Sequence, residues 1–93
     1  MAEPVVIGVI GDFDGRPSHV ATNAAIGHAA AALGRDAAVR WLPTPLLLEP
    51  GAEESLAACA GLWAAPGSPY LSLDGALAAI RFARERDWPF VGT

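Results

Sequence analysis

Apolar residues fall into four short runs that alternate with alanine-rich stretches and polar turns. The first run, at 5–11, is rich in Val and Ile and is flanked by Pro4 and a glycine. This pattern is typical of a central strand that is buried on both faces. The second run, at 37–42, contains Arg40 and therefore predicts a strand nearer the edge of the sheet.

The other two runs predict a third and a fourth strand. The third strand is expected at 61–65, and the fourth is opened by Pro89 and ends in a turn at Gly92 and Thr93. Because the fourth run is short and apolar, it predicts a buried strand.

Alanine-rich stretches between the runs predict three helices. The first spans 18–33 and stops at Gly34, the second is short and spans 53–60, and the third extends to Arg86. In the third helix we expect apolar contacts from Leu77, Ile80, Phe82 and Ala83. Strands that alternate with helices predict an α/β fold: a parallel, doubly wound, flavodoxin-like or Rossmann-like sheet of about four strands.

The composition limits the kinds of function. The chain has 93 residues, of which 53% are hydrophobic and 17% charged, so it forms one small domain with either a dense core or an apolar surface for a partner. The net charge of -4 argues against nucleic-acid binding, which needs clustered Lys and Arg. No apolar run is long enough to span a membrane, and the first residues lack the basic start of a signal peptide, so a cytoplasmic location is expected.

Two aspartates follow the first strand and allow two interpretations. Asp12 and Asp14 could bind a metal ion, or they could accept backbone N–H groups in a turn, which is the favoured interpretation. The glycines at 8, 11 and 15 do not have the spacing of a dinucleotide-binding loop. No metal and no cofactor are therefore predicted.

The remaining candidate side chains favour packing roles. His19 and His28 are nine positions apart, which does not suit a helical ligand pair. Cys59 is the one cysteine and is expected to be a small buried residue rather than a nucleophile. The leucines at 46–48 either cap the core, which we favour, or belong to a contact surface.

The loop at 65–70, Ala-Pro-Gly-Ser-Pro-Tyr, follows the third strand, and its backbone N–H groups at Gly67 and Ser68 can point outward beyond the sheet. This loop resembles the Pro-Gly-Gly loop of class I glutamine amidotransferases. The segments 7–13 and 79–93 are similar to the amidotransferase domain of CTP synthases. The loop is most similar to that of a group related to the C-terminal region of CTP synthase, which includes selenoproteins.

The resemblance implies a domain and a site. The chain would be the N-terminal half of an amidotransferase-like domain, and the nucleophile, cysteine or selenocysteine, is expected immediately after Thr93. Gly67 and Ser68 would bind glutamine and stabilise the oxyanion. In the family, glutamine hydrolysis supplies ammonia for CTP synthesis from UTP. Glutamine or a related amide is the expected substrate of the complete protein, and these residues alone are expected to be inactive.

Two further expectations follow. The alternative function is a stand-alone flavodoxin-like binding or interaction module without catalysis. If the sheet is the leading half of a larger one, the fourth strand and the helix around Phe82 lack cover, and self-association through the exposed sheet edge is expected.

Overall fold

Strands and helices alternate in the computed structural model, which describes residues 4–65 and 70–92. The elements, in chain order, are β1 (Val5–Ile10), α1 (Pro17–Ala32), β2 (Ala37–Leu42), a 3-10 helix (Thr44–Leu48), α2 (Ala52–Ala57), β3 (Gly61–Ala64), α3 (Leu73–Glu85) and β4 (Phe90–Gly92). The predicted elements are confirmed, with ends that differ by a few residues.

The strands form one parallel sheet in the order β2-β1-β3-β4. Ile7 in β1 lies opposite Val39 on one side and Gly61 on the other. The predicted parallel α/β fold and the central position of the first strand are therefore confirmed. β2 lies at an edge, as Arg40 predicted, and that residue is exposed.

One face of the sheet is covered by α2, α3 and the 3-10 helix, and we call it the α2–α3 face. Two close approaches make this packing dense. A Cβ added at Gly8 would lie 2.6 Å from the Cys59 Sγ, and a Cβ at Gly75 would collide with the Thr44 carbonyl group. Only glycine fits at these two positions without movement of the neighbours. The buried cluster comprises Ile10, Leu42, Leu47, Leu56, Cys59, Leu62, Ala76, Ala79, Phe82 and Ala83.

The opposite face is covered by α1, and we call it the α1 face. Its fully buried cluster is small and consists of Val9, Ile26 and Ala65. Larger side chains pack around this cluster but stay partly exposed, namely Ile7, Val39, Trp41 and Trp63. Because α1 is a single alanine-rich helix, it has few large side chains to place against the sheet.

The fourth strand differs from its prediction. Instead of being buried, β4 is exposed along its length, with Phe90 at 37% and Val91 at 54%. Within the described part of the chain β4 pairs with β3 and has no strand on its other side, so nothing described there covers it.

Three expectations about apolar side chains in other elements also need correction. Phe82 was expected to lack cover but is 5% exposed, since it packs 5.5 Å from the Trp88 ring and lies under the Arg86 guanidinium. Leu77 was expected to make apolar contacts but is 51% exposed, because α3 turns its small residues toward the sheet. In the leucine run, Leu47 alone is buried and caps the core.

Among the described residues, no helix has the length and apolar character needed to cross a membrane.

Candidate functional site

The carboxyl ends of β1, β2 and β3 are joined by backbone hydrogen bonds. Gly11 N–H donates to the Leu42 carbonyl at 3.1 Å, and Ala65 N–H donates to the Ile10 carbonyl at 3.0 Å. Gly11 and Ala65 therefore lie at the same edge of the sheet, as predicted. Thr93, which was predicted to join them, lies outside the described residues. Ligands of open parallel sheets bind at this edge, so the candidate site is sought here.

Asp12, directly after β1, is the centre of a hydrogen-bond network at this edge. Its Oδ1 accepts the Thr44 N–H at 2.8 Å, and its Oδ2 accepts the Thr44 hydroxyl at 2.7 Å and the Leu71 N–H at 3.0 Å. Asp12 accepts backbone N–H groups, as expected, but they belong to distant residues and not to its own turn. Burial raises the pKa of Asp12, but the hydrogen bonds from Leu71 and Thr44 outweigh it, so the pKa lies below its ordinary value.

Thr44 extends this network to the start of α3. Its side chain is fully buried, and its hydroxyl accepts the Ser72 N–H at 2.8 Å while donating to Asp12. The Ser72 hydroxyl in turn accepts the Gly75 N–H at 3.0 Å and caps the helix. Residues far apart in sequence are thereby linked from β1 to α3.

The predicted oxyanion and glutamine-binding residues, Gly67 and Ser68, lie outside the described residues. The residues on either side of 66–69 are described and are bonded to each other. The Tyr70 hydroxyl donates to the Ala65 carbonyl at 2.9 Å. Burial, and secondarily the charge of Asp12, raise the pKa of Tyr70, so the phenol keeps its proton for this bond.

An aromatic group surrounds His19 on α1. The imidazole ring is 4.7 Å from the Trp41 ring and 5.8 Å from the Phe13 ring, and the residue is 3% exposed. Its Nδ1 lies 3.4 Å from the Asp14 backbone N–H. The packing interpretation of His19 is confirmed. Packing was also predicted for His28, and that prediction is wrong, since His28 is exposed on α1.

Asp14 and Arg16 form an ion pair that orders the loop after β1. Arg16 Nη2 lies 2.6 Å from Asp14 Oδ2, and the Arg16 backbone N–H donates to Asp14 Oδ1 at 3.0 Å. The hydrogen bonds from Arg16 lower the pKa of Asp14 to about 2. Among the described residues, no group of three or more His, Cys, Asp or Glu side chains is arranged to hold a metal ion.

A cavity of about 180 Å³ opens between the loop after β1 and the segment before α3. Small-molecule sites usually enclose roughly 300 to 1,000 Å³, so this cavity can form only part of such a site. Its lining comprises Gly11, Asp12, Phe13, Asp14, Arg16, His19, Tyr70 and Leu71.

Cys59 does not belong to this site. It is 1% exposed in the α2–α3 face, and its Sγ lies 3.6 Å from the Ser55 carbonyl oxygen. Burial raises the pKa of its thiol, so a thiolate is disfavoured. The prediction that Cys59 is a buried packing residue is confirmed.

The connection between Asp12, Thr44 and Leu71 was not predicted from the sequence. The available local pattern was an aspartate that follows a central strand and a threonine that follows Pro43 at the end of the neighbouring strand. Because parallel strands end at the same edge, that pairing could have been proposed. The bond to Leu71 spans 59 positions and had no local pattern.

Comparison with known proteins relates the chain to CTP synthases. It is 28% identical over 90 residues to the CTP synthase of Thermosynechococcus vestitus and 32% identical over 90 residues to that of Cyanothece sp.. These matches cover 96% of this chain but 17% and 16% of those enzymes. The chain thus spans about one sixth of the length of these relatives. No family model matches the chain.

The fold is also similar to a solved structure, the glutaminase domain of Trypanosoma brucei CTPS with bound acivicin. The TM-score is 0.79 at 25% identity, over 95% of this chain and 35% of that chain. Together with the sequence matches, this shows homology to the glutaminase region of CTP synthase. A stand-alone flavodoxin-like module is not favoured.

Proposed function

We propose that this chain forms the N-terminal part of a glutaminase-type domain, which in its complete form hydrolyses glutamine or a related amide. The observation that carries the proposal is the match to the Trypanosoma brucei glutaminase domain over 95% of this chain. Acivicin, the compound bound in that structure, is a glutamine analogue, which supports the same class of substrate here. Supply of ammonia for CTP synthesis is the corresponding role in the relatives.

Within this proposal, Gly67 and Ser68 donate backbone N–H groups to the oxyanion. A cysteine or selenocysteine that follows Thr93 attacks the carboxamide carbon, and the carbonyl electron pair moves onto oxygen. The proton of the attacking thiol or selenol passes to the amide nitrogen, and the tetrahedral intermediate then expels ammonia and leaves a thioester or selenoester. Water hydrolyses this ester to the carboxylate and the free thiol or selenol. The bonds that hold Ala65 and Tyr70 in place support this role, because they fix both flanks of 66–69 at the carboxyl edge.

The 93 residues by themselves are proposed to be inactive. Cys59 is the one cysteine among them, and its burial and raised thiol pKa make it a poor nucleophile. Its place in the α2–α3 face also keeps its sulfur away from any substrate.

Ammonia release from L-glutamine tests the proposal. The natural protein is expected to release ammonia, to be inhibited by acivicin, and to lose about a hundredfold in kcat on Ser68→Pro, which removes one backbone donor. Ser68→Ala keeps that donor and is the matched control. A natural protein without glutaminase activity that also fails to bind acivicin would contradict the proposal.

The relation to selenoproteins is a separate part of the proposal. It rests on the similarity of the loop at 65–70 to that group. Sequencing the messenger RNA beyond the Thr93 codon tests it, and an in-frame UGA followed by codons for Gly-Gly-Phe-Gln is the expected result. A cysteine codon at that position would be consistent with the glutaminase proposal but would contradict the proposed relation to selenoproteins.

We also propose self-association of the 93-residue chain through β4. Its strand is exposed, and open strand edges with apolar side chains favour pairing between copies. Light scattering is expected to detect oligomers that Val91→Lys reduces. Leu33→Lys, at an exposed position after α1, is the matched control. A chain that is monomeric at all concentrations would exclude this association.

A further inference from the structure

The Asp12 carboxylate contacts the end of the loop before α3. The two oxygens of Asp12 accept three hydrogen bonds, from the Thr44 N–H, the Thr44 hydroxyl and the Leu71 N–H. Leu71 itself is 78% exposed, so burial of its side chain does not fix this segment. The Leu71 backbone is held by its hydrogen bond to Asp12, together with the neighbouring bond from the Ser72 N–H to the Thr44 hydroxyl.

We propose that Asp12 is a positioning residue, which fixes the segment 70–72 at the carboxyl edge of the sheet beside the candidate site. The geometric part of this inference stands on the described contacts. Its catalytic consequence rests on the proposed glutaminase function.

The residues on both sides of 66–69 are hydrogen-bonded to β1 or to the loop directly after it. On the entry side, the Ala65 N–H donates to the Ile10 carbonyl of β1. On the exit side, Leu71 N–H donates to Asp12, two residues further along. The Tyr70 hydroxyl joins the two sides by donating to the Ala65 carbonyl. A frame of this kind matters for catalysis because an error of about 1 Å in the position of a reacting group can cost roughly a hundredfold in rate.

A carboxylate is needed at this position because all three partners are donors. An asparagine has one acceptor oxygen, so its NH2 group would face either the Thr44 N–H, or both the Thr44 hydroxyl and the Leu71 N–H. Thr44 has a complementary role, since its hydroxyl proton goes to Asp12 and its oxygen accepts the Ser72 N–H. Thr44→Ser keeps both bonds, whereas Thr44→Val removes both.

The protonation state of Asp12 controls this arrangement. Among the described residues, the charged and titratable groups around it are His19 from α1, Asp14 and Arg16 from the loop after β1, and Tyr70 before α3. Because the pKa of Asp12 is lowered by folding, its stabilising effect is fully present above the unfolded value near 3.8 and is lost as pH falls through the lower folded value.

Nuclear magnetic resonance of the 93-residue chain tests the geometric part. Between neutral pH and about pH 2, the amide protons of Thr44 and Leu71 are expected to shift together, with one midpoint below 3.8. In Asp12→Asn, the Leu71 amide proton is expected to exchange with solvent about tenfold faster or more, because its charged acceptor is gone. Asp36→Asn, an exposed carboxylate before β2, is the matched control and leaves this exchange unchanged.

If Asp12→Asn unfolds the chain, two substitutions of Thr44 test the same hydrogen bonds. Thr44→Val is expected to speed exchange at Ser72 and to shift the Leu71 amide, and Thr44→Ser is expected to restore both. A Leu71 amide that is insensitive to Asp12 protonation, or a Thr44→Val variant identical to wild type at Leu71 and Ser72, would overturn the inference whatever the glutaminase activity.

The catalytic consequence is measured in the natural protein. Asp12→Asn is expected to lower kcat for glutamine hydrolysis by about ten- to a hundredfold with a smaller change in KM, because the oxyanion donors act in the transition state. Asp36→Asn is expected to leave both constants unchanged. Unaltered kcat in a folded Asp12→Asn variant would overturn the positioning role, whereas an inactive wild-type protein would contradict the proposed function instead.

Discussion

The two faces of the sheet are packed to different degrees. On the α2–α3 face, helices approach so closely that glycine is required at positions 8 and 75, and Phe82 is buried. On the α1 face, one helix covers a small buried cluster, and Trp41 and Trp63 remain partly exposed around it.

Two elements of the denser face also provide residues next to the candidate site. Thr44 in the 3-10 helix and Ser72 at the start of α3 both belong to the elements on that side. Thr44 donates to Asp12 at the carboxyl edge, and the Ser72 N–H donates to the Thr44 hydroxyl. The close packing of α3 on the 3-10 helix therefore supports the position of the segment 70–72. On the other side, α1 contributes the His19 ring to the wall of the cavity.

Truncation of one phenylalanine near each face gives the largest expected difference. Phe82→Ala removes a buried ring from the α2–α3 face and is expected to cost about 3 to 5 kcal/mol of unfolding free energy. Phe13→Ala removes a ring that is 48% exposed and packs on His19 and Trp41, so about 1 kcal/mol is expected. Urea unfolding followed by far-ultraviolet circular dichroism measures both values. Equal losses would show that the two faces contribute alike.

Added volume at Gly8 tests the density of the α2–α3 face directly. Gly8→Ala places a methyl group 2.6 Å from the Cys59 Sγ and 3.0 Å from a Leu42 methyl carbon, so about 1 to 3 kcal/mol of destabilisation is expected. In a Cys59→Ala background the nearest contact is absent, and the same substitution is expected to cost less. Cys59→Ala alone supplies the reference. If the cost is the same in both backgrounds, the sulfur is not the limiting contact.

Sequence patterns predicted the elements well because each depends on neighbouring residues. The β-branched run in β1 and the alanine-rich stretch of α1 are both local features of the sequence, and both elements formed as predicted. Burial of the last strand was predicted wrongly, because exposure of Phe90 and Val91 depends on what lies beside β4 and not on the strand itself. Leu77 was expected to make apolar contacts but is exposed, because the buried side of α3 is formed by Ala76, Ala79, Phe82 and Ala83.

Prediction of the site was limited for a related reason. Asp12 was recognised as an acceptor of backbone N–H groups, but its partners at Thr44 and Leu71 lie 32 and 59 positions away. Local patterns contain no information on pairs of residues this far apart in sequence, which come together only in the folded sheet. The roles of Gly67 and Ser68 came from family resemblance and remain predictions.

Helix capping gives the smallest expected difference between the two sides. The Ser72 hydroxyl accepts the Gly75 N–H and so satisfies one of the free donors at the start of α3, on the denser side. Ser72→Ala is therefore expected to cost about 1 kcal/mol of unfolding free energy, and Ser72→Asp to recover most of it.

Ser18 in the first turn of α1 is the matched control for this prediction. The Thr22 hydroxyl donates to the Ser18 carbonyl, which Ser18→Ala keeps, so that substitution is expected to leave the urea midpoint nearly unchanged. Because the Ser72 backbone N–H still donates to Thr44 in Ser72→Ala, the loss measures the cap separately from the network around Asp12. A Ser18→Ala variant that loses as much stability as Ser72→Ala would show that both helix starts depend equally on their serines. The difference in stability between the two faces would then come from side-chain packing alone.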